Sequence, residues 1–207
     1  MKISLTKAGK RFNREWIFRN FQYEFMAGTA YAITGPNGSG KSTLLQATGG
    51  ALALSEGAVT YTPANATRPI EPDQAFQYLS IAAPYLELIE EMTVTEFLQF
   101  HQQFKPLLPN WSIPAIITAV GLEKAAHKQI RFYSSGMKQR VKLAQAIFSH
   151  VPCILLDEPC TNLDAEGISL YHQLIDAHCS QRLVIVSSND PQEYSFCREQ
   201  IRITDYR

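Results

Sequence analysis

Nine consecutive residues near the start of the chain have the types and spacing that bind a phosphate chain. Residues 35–43 read GPNGSGKST and match the phosphate-binding loop pattern G-x-x-x-x-G-K-[ST] at every fixed position. An apolar segment, residues 30–33, precedes the loop, and a helix-forming segment, residues 42–47, follows it. The loop's backbone N–H groups and the positive end of that helix predict an anion site.

The side chains in and after this loop predict how phosphates and a metal ion are held. Lys41 is expected to contact the β- and γ-phosphates, and the Ser42 hydroxyl to bind Mg²⁺. Asp157 and Glu158 follow four apolar residues, 153–156, which are typical of a buried parallel strand. Asp157 is predicted to hold Mg²⁺ beside Ser42, and Glu158 to take a proton from an attacking water, a role worth about 10²–10⁴-fold in rate. An exposed acidic turn is the alternative. The predicted nucleotide contacts of the loop are Gly35, Pro36, Asn37, Gly38, Ser39, Gly40, Lys41, Ser42 and Thr43.

Composition limits the classes of protein to which the chain can belong. Its 207 residues carry 19 basic and 19 acidic side chains, so its formal net charge is zero and gives no support for a broad nucleic-acid footprint. No run of about 18 apolar residues occurs, and the first residues lack the apolar core of a secretory signal. We therefore expect a cytoplasmic protein with neither a membrane span nor a bound nucleic acid.

Hydrophobic patterning predicts the elements that position these residues. Residues 21–25 alternate with period two, as a half-buried strand does, and residues 76–83 predict a buried strand. Thr93 and Glu96 have the capping-box spacing and begin a mostly helical segment. The sequence predicts an α/β fold in a single domain. Its core and β subdomain cover about residues 1–84 and 151–207, and its helical subdomain about residues 85–150.

Three further segments resemble motifs of the ABC-type ATPases. Residues 133–140, YSSGMKQR, resemble the signature sequence, and residues 153–158 resemble the Walker B strand with its catalytic glutamate. Residues 161–164, TNLD, are similar to the D-loop. Because the order and spacing match over essentially the whole chain, the sequence is identified as a member of the ABC transporter ATP-binding proteins.

The resemblance implies a phosphate-loop NTPase core of mostly parallel sheet with helices on both faces, an N-terminal antiparallel β subdomain and a helical subdomain that carries the signature. It implies ATP hydrolysis with Mg²⁺, in a head-to-tail dimer where the signature of one subunit binds the γ-phosphate held by the other. Four further nucleotide contacts are implied: Ser134, Ser135, Gly136 and Asp164. Phe12 is the implied adenine-stacking residue, with Trp16 as its competitor.

Two positions depart from the family pattern. A glutamine is expected after the strand at residues 76–83 and is absent there, with Glu87 and Glu90 as candidate substitutes. The switch histidine is replaced by Asn189, which can donate a hydrogen bond but cannot carry a proton. We therefore predict slow turnover, with ATP-driven dimerisation better preserved than hydrolysis.

The resemblance also implies the partners. A separate integral-membrane permease and a second, identical ATP-binding subunit are expected, with the chain bound at the inner face of the cell membrane. Residues 84–92 are predicted to contact the permease, with a buried helix end as the equal alternative. The sequence SSGMKQR favours exporters. Two alternatives stay open: a soluble ABC-type ATPase that acts on nucleic acid or ribosomes, and an ATP-binding regulator that hydrolyses weakly or not at all.

Overall fold

The computed structural model describes residues 1–64, 66 and 68–207 and contains two sheets. The antiparallel sheet is formed by β1 (Lys2–Phe12), β2 (Glu15–Phe25) and β4 (Glu56–Thr62), in the order β2-β1-β4. The parallel sheet is formed by β3 (Ala30–Thr34), β5 (Leu79–Ala82), β6 (Cys153–Asp157), β7 (Leu183–Ser187) and β8 (Glu199–Arg202). Its order is β5-β6-β7-β3-β8, so β6, β7 and β3 are neighbours and end at the same edge.

Six α-helices accompany the strands within the described ranges. They are α1 (Lys41–Thr48), α2 (Val94–His101), α3 (Ile113–Ala119), α4 (Ser135–Phe148), α5 (Ala165–His178) and α6 (Pro191–Tyr194). Short 3-10 helices cover Pro72–Tyr78, Glu123–Ala125, Ile130–Phe132 and Ile203–Tyr206. The predicted capping box begins α2, because Thr93 accepts from the N–H of Glu96 and the Glu96 carboxylate accepts from the N–H of Thr93.

Both faces of the parallel sheet are covered, since side chains alternate along each strand. In β6, Ile154 and Leu156 pack into one hydrophobic cluster with α4 and α5. Cys153 and Leu155 pack into the other cluster, with α1 and the antiparallel sheet. The predicted fold class is confirmed, while the boundaries given for the two subdomains stay a prediction. No helix in the described ranges is long and apolar enough to cross a lipid bilayer.

The strand predicted at residues 76–83 was wrong over its first three residues. Pro72 stands in the first turn of a 3-10 helix that runs to Tyr78, and the strand begins only at Leu79. Phe76 is 57% exposed, although its apolar side chain suggested burial. Proline fixes its own φ at a helical value and favours helix initiation, which outweighed the apolar run that follows.

Candidate nucleotide-binding site

The predicted phosphate loop connects β3 to α1, at the edge where β6 and β7 also end. Gly40 has φ of 101°, and a Cβ at this position would collide with Ile17 of β2, so only glycine fits here. Lys41 is 5% exposed, and its ammonium donates to the carbonyl oxygens of Gly35 at 3.0 Å and Pro36 at 3.2 Å. The Lys41 ammonium is thus held by two carbonyl oxygens of its own loop.

A cavity of about 240 Å³ opens at the loop. It is lined by Ile17, Asn37, Gly38, Gly40, Lys41, Ser42, Thr43 and Glu158. The structure therefore brings the predicted base Glu158 to the same cavity as the loop's lysine and its predicted metal-binding serine. Ile17 was not predicted as a lining residue, although its place in an alternating strand before the loop was a signal.

Asp157 has the surroundings of a metal-binding carboxylate. It ends β6, is 1% exposed, and is paired in register with Ser187 of β7. Burial raises the pKa of Asp157, and the nearby hydroxyls of Ser187 and Ser42 and the charge of Lys41 oppose that rise.

Three buried side-chain oxygens in the described part of the chain have no hydrogen-bond partner: Ser39 Oγ, Asp157 Oδ1 and Ser187 Oγ. Unpaired buried oxygens are costly, and native proteins normally satisfy them with an ion, water or ligand. Mg²⁺ prefers one or two protein oxygens together with phosphate and water oxygens. Asp157 and Ser42 fit this requirement, and within the described ranges no three His, Cys, Asp or Glu side chains form a cluster that could hold a metal ion alone.

Glu158 has an unusual backbone conformation. Its φ is 43°, in the left-handed region that non-glycine residues rarely adopt. Its N–H donates to the carbonyl of Ser187 at 2.9 Å, and its own carbonyl accepts from the N–H of Thr161 at 3.1 Å. Strained conformations of this kind concentrate at functional sites and persist only where neighbouring contacts enforce them.

Asn189 lies beside the loop, as its position after β7 predicts. The preceding residue, Ser188, donates its N–H to the carbonyl of Ile33 in β3 at 3.1 Å. The side-chain amide of Asn189 donates to Asn37 Oδ1 at 3.1 Å, which joins the segment after β7 to the phosphate loop.

Tyr85, rather than Glu87 or Glu90, is the residue of the 84–92 segment that lies near enough to Asp157 to respond to its charge. Burial raises the pKa of Tyr85 to about 12, and the charge of Asp157 adds to the rise. Glu90 instead pairs with Lys138 of α4 at 2.6 Å. The sequence analysis missed Tyr85, although its place three residues after β5 was a signal.

The signature residues lie at the start of α4. Ser134 caps the helix, and its hydroxyl accepts from the N–H of Met137 at 3.3 Å. A Cβ on Gly136 would lie 2.8 Å from the carbonyl oxygen of Asn162, so the close approach of these two segments requires glycine. A second cavity, of about 360 Å³, is lined by Ser134, Ser135, Gly136, Met137, Arg140, Asn162, Leu163 and Asp164. It shares no lining residue with the cavity at the phosphate loop.

Two predicted nucleotide contacts have other partners in this structure. Asp164 caps α5, where its Oδ1 accepts from the N–H of Gly167 at 2.8 Å. Phe12 is 48% exposed, and the Lys10 ammonium lies 5.0 Å from its ring centroid. The Arg19 guanidinium lies 4.5 Å from the ring centroid of Trp16. Neither aromatic residue lines the 240 Å³ cavity. The roles of Asp164, Phe12 and Trp16 towards a nucleotide stay predictions.

Comparisons with known proteins agree with this geometry. A family model described as ABC transporter matches residues 18–161. The chain is 30% identical over 195 residues to the cytochrome c biogenesis ATP-binding export protein CcmA of Rhizobium etli, covering 92% of this chain and 89% of CcmA. It is 27% identical over 197 residues to YybJ, an ABC transporter ATP-binding protein of Bacillus subtilis, covering 94% and 89%. The dimeric structure of MJ0796, a bacterial ABC transporter cassette, has the same fold, with a TM-score of 0.81 at 24% identity, covering 97% and 94%.

Proposed function

Because the chain belongs to the ABC transporter family and is an ATP-binding subunit that hydrolyses ATP, we propose that it drives a separate membrane permease by closing head-to-tail on a second, identical subunit. The observation that carries this proposal is that the phosphate loop and the signature residues line two cavities with no lining residue in common. Each faces solvent beside a helix start, the arrangement that binds phosphate. A head-to-tail pairing would bring the cavity of one subunit to the opposite cavity of the other. The dimeric assembly named for MJ0796 supports this arrangement.

The residues at the loop divide the chemistry of hydrolysis. The loop N–H groups and Lys41 bind and orient the phosphates, and Asp157 with Ser42 holds Mg²⁺, which neutralises phosphate charge when bound. Glu158 takes a proton from the attacking water, and Asn189 donates a hydrogen bond towards the γ-phosphate. Ser134, Ser135 and Gly136 of the partner subunit add anion-binding groups from the opposite side.

We propose that this hydrolysis is slow. Asn189 is neutral at every physiological pH, so it cannot exchange a proton with phosphate or water. Residues 83–92 contain no glutamine, and Tyr85 in this segment offers a phenol with one donor where an amide has two. These two residues favour the second candidate, an ATP-dependent dimerisation switch with weak turnover, more than they favour a nucleic-acid-directed ATPase.

A groove of about 550 Å³ between the 84–92 segment and α4 is the proposed contact with the permease. Glu87, Glu90 and Glu91 line it together with Lys138 and Lys142 of α4. Lys142 donates to the carbonyl oxygens of Ala83 at 3.2 Å and Pro84 at 2.8 Å, just before Tyr85. A partner segment in this groove would therefore contact the chain close to the nucleotide. Binding there would place the subunit at the inner face of the membrane, and the export named for CcmA supports the outward direction of transport.

Recovery of a membrane partner tests this function. We expect the tagged chain, purified from detergent-solubilised membranes of the organism that encodes it, to bring down a polytopic membrane protein. A Glu87→Lys/Glu91→Lys variant should recover at least about tenfold less, because reversing charges at an interface rim repels the partner, while its own ATPase rate is unchanged.

Phe104→Asp is the matched control, since Phe104 is 68% exposed in the helical segment but does not line the groove. It should recover as much membrane protein as the unmodified chain. Recovery of no membrane protein, or of ribosomes or nucleic acid in its place, would contradict the proposal.

A further inference from the structure

The peptide group between Pro159 and Cys160 forms hydrogen bonds with buried side chains through both its carbonyl oxygen and its N–H. Its carbonyl oxygen accepts from Gln139 Nε2 of α4 at 2.8 Å. Its N–H donates to Glu193 Oε1 of α6 at 2.7 Å. Gln139 is 3% exposed and Glu193 is 5% exposed, so water does not compete for either hydrogen bond. Two separate helices thus fix the position and orientation of one peptide plane.

The Pro159–Cys160 peptide lies directly after the segment that presents Glu158 to the cavity. Glu158 has its φ of 43°, and one residue, Pro159, separates it from Cys160. A strained conformation needs restraints on both sides to persist. On one side, the N–H of Glu158 donates to Ser187. On the other side, the carbonyl of Glu158 accepts from the N–H of Thr161. Gln139 and Glu193 add a second restraint there through the Pro159–Cys160 peptide.

Glu193 is also tied to the segment that carries Asn189. Its N–H donates to the carbonyl of Asp190 at 3.0 Å, and its carbonyl accepts from the Tyr171 hydroxyl at 2.8 Å. Burial raises the pKa of the Glu193 carboxyl, and the hydrogen bond from the N–H of Cys160 opposes that rise. The Glu193 side chain therefore joins the chain after β6 to the chain after β7, the two segments that reach the nucleotide cavity.

We propose that Glu193 is a positioning residue for ATP hydrolysis, which holds the backbone of Glu158 through the Pro159–Cys160 peptide so that the Glu158 carboxylate faces the attacking water. The proposal rests on the assignment of Glu158 as the base. Glu193 does not itself reach the cavity at the loop, whose lining includes Glu158 but not Glu193. Its effect on rate is therefore indirect, through the geometry of Glu158.

The test compares ATP affinity with turnover in variants of the full chain. Glu193→Ala should lower kcat by about 10-fold to 100-fold, the scale expected for a displaced catalytic group. Its Kd for ATP should stay within about twofold, because the phosphate loop is untouched. Glu193→Gln keeps an oxygen that accepts from Cys160, so it should retain kcat within about threefold. Single-turnover phosphate release measures the rate of the hydrolysis step itself and should fall by the same factor, even where steady-state turnover is slow.

Matched variants separate positioning from stability. Ser80→Ala removes another buried hydrogen bond, the one from the Ser80 hydroxyl to the carbonyl of Ala146 at 2.7 Å, and should lower Tm while leaving kcat unchanged. If Glu193→Ala fails to fold, Gln139→Leu removes the other restraint on the same peptide and should show the same loss of kcat at constant Kd.

Unchanged kcat in Glu193→Ala, or a raised Kd with kcat preserved, would overturn the proposal. Glu158→Gln distinguishes an error in the role of Glu158 as the base from an error in the positioning role of Glu193. If Glu158→Gln still hydrolyses ATP at the unmodified rate, the assignment of the base itself is wrong. If Glu158→Gln is inactive and Glu193→Ala is fully active, only the positioning role of Glu193 is wrong.

Discussion

At the phosphate loop, Asn189 supplies a neutral amide where the family pattern predicts an imidazole. Its Nδ2 donates to Asn37 Oδ1 at 3.1 Å, so it lies within hydrogen-bond reach of the loop. An amide at this place can orient a phosphate oxygen but cannot transfer a proton. With the roles proposed here, binding of ATP depends on Lys41, whereas the rate of its hydrolysis depends on Asn189 and Glu158.

Restoring the imidazole tests the effect of this substitution. We expect the unmodified chain to turn over ATP more slowly than about 1 s⁻¹, the low end of ordinary enzymes. Asn189→His should raise kcat by at least about tenfold, as a proton-transferring side chain does, with Kd for ATP little changed. Asn189→Ala is the control and should not exceed the unmodified rate. A fast unmodified chain whose rate is the same in Asn189→Ala would show that Asn189 does not limit turnover.

Residues of the site differ in how far sequence alone could reveal them. The loop residues and the pair Asp157–Glu158 are contiguous or follow an apolar strand, so local pattern was enough to predict them. Glu193 and Gln139 act on a peptide 33 and 20 residues away in the chain. Only the packing of α4 and α6 brings them there, and no local spacing records that contact.

At the scale of elements, helices and strands formed as predicted where no neighbouring residue favoured a different backbone conformation. Thr93 and Glu96 formed the predicted capping box because both partners of a reciprocal hydrogen bond lie within one turn. The first residues of the strand predicted at 76–83 belong instead to a 3-10 helix, because Pro72 favours a helical turn. Pattern therefore predicted which elements exist better than it predicted where they begin.

The junction between α2 and the end of α4 depends on a buried histidine. His101 is 9% exposed, and its Nε2 lies 2.8 Å from the hydroxyl of Ser149. Burial, together with the charge of Lys105, lowers the pKa of His101 to about 4. The unfolded chain takes up a proton at about pH 6.5, whereas the folded chain does not until about pH 4, so stability is lost as pH falls through this window.

This window gives a measurable change in stability. Between about pH 7.5 and about pH 5, the His101 contribution to the free energy of unfolding should fall by about 2 kcal/mol. His101→Gln keeps a partner for Ser149 and does not titrate, so its loss of stability over the same range should be smaller by that amount. Urea unfolding at the two pH values measures both proteins. Equal losses would mean that His101 does not remain neutral in the folded chain.

At the scale of the whole molecule, the chain carries two separate cavities, one at the phosphate loop and one at the signature residues. The phosphate loop, Asp157 and Glu158 lie at one cavity, and Ser134, Ser135 and Gly136 lie at another. The order of the motifs along the sequence predicted this division, because a helical segment separates the loop from the signature. The packing of the signature against Asn162 could not be predicted, since it depends on a backbone approach that only Gly136 allows.

The mass of Glu158→Gln in solution, with and without ATP and Mg²⁺, tests the head-to-tail dimer most directly. Light scattering should give 23.3 kDa without nucleotide. With saturating ATP and Mg²⁺ the mass should rise to about twice that value, because the bound nucleotide is no longer consumed. Adding Lys41→Ala should abolish the dimer together with ATP binding, whereas adding Gly136→Asp should abolish the dimer and leave ATP binding intact. A Glu158→Gln chain that binds ATP and stays at 23.3 kDa, or that dimerises equally well with Gly136→Asp, would contradict the account.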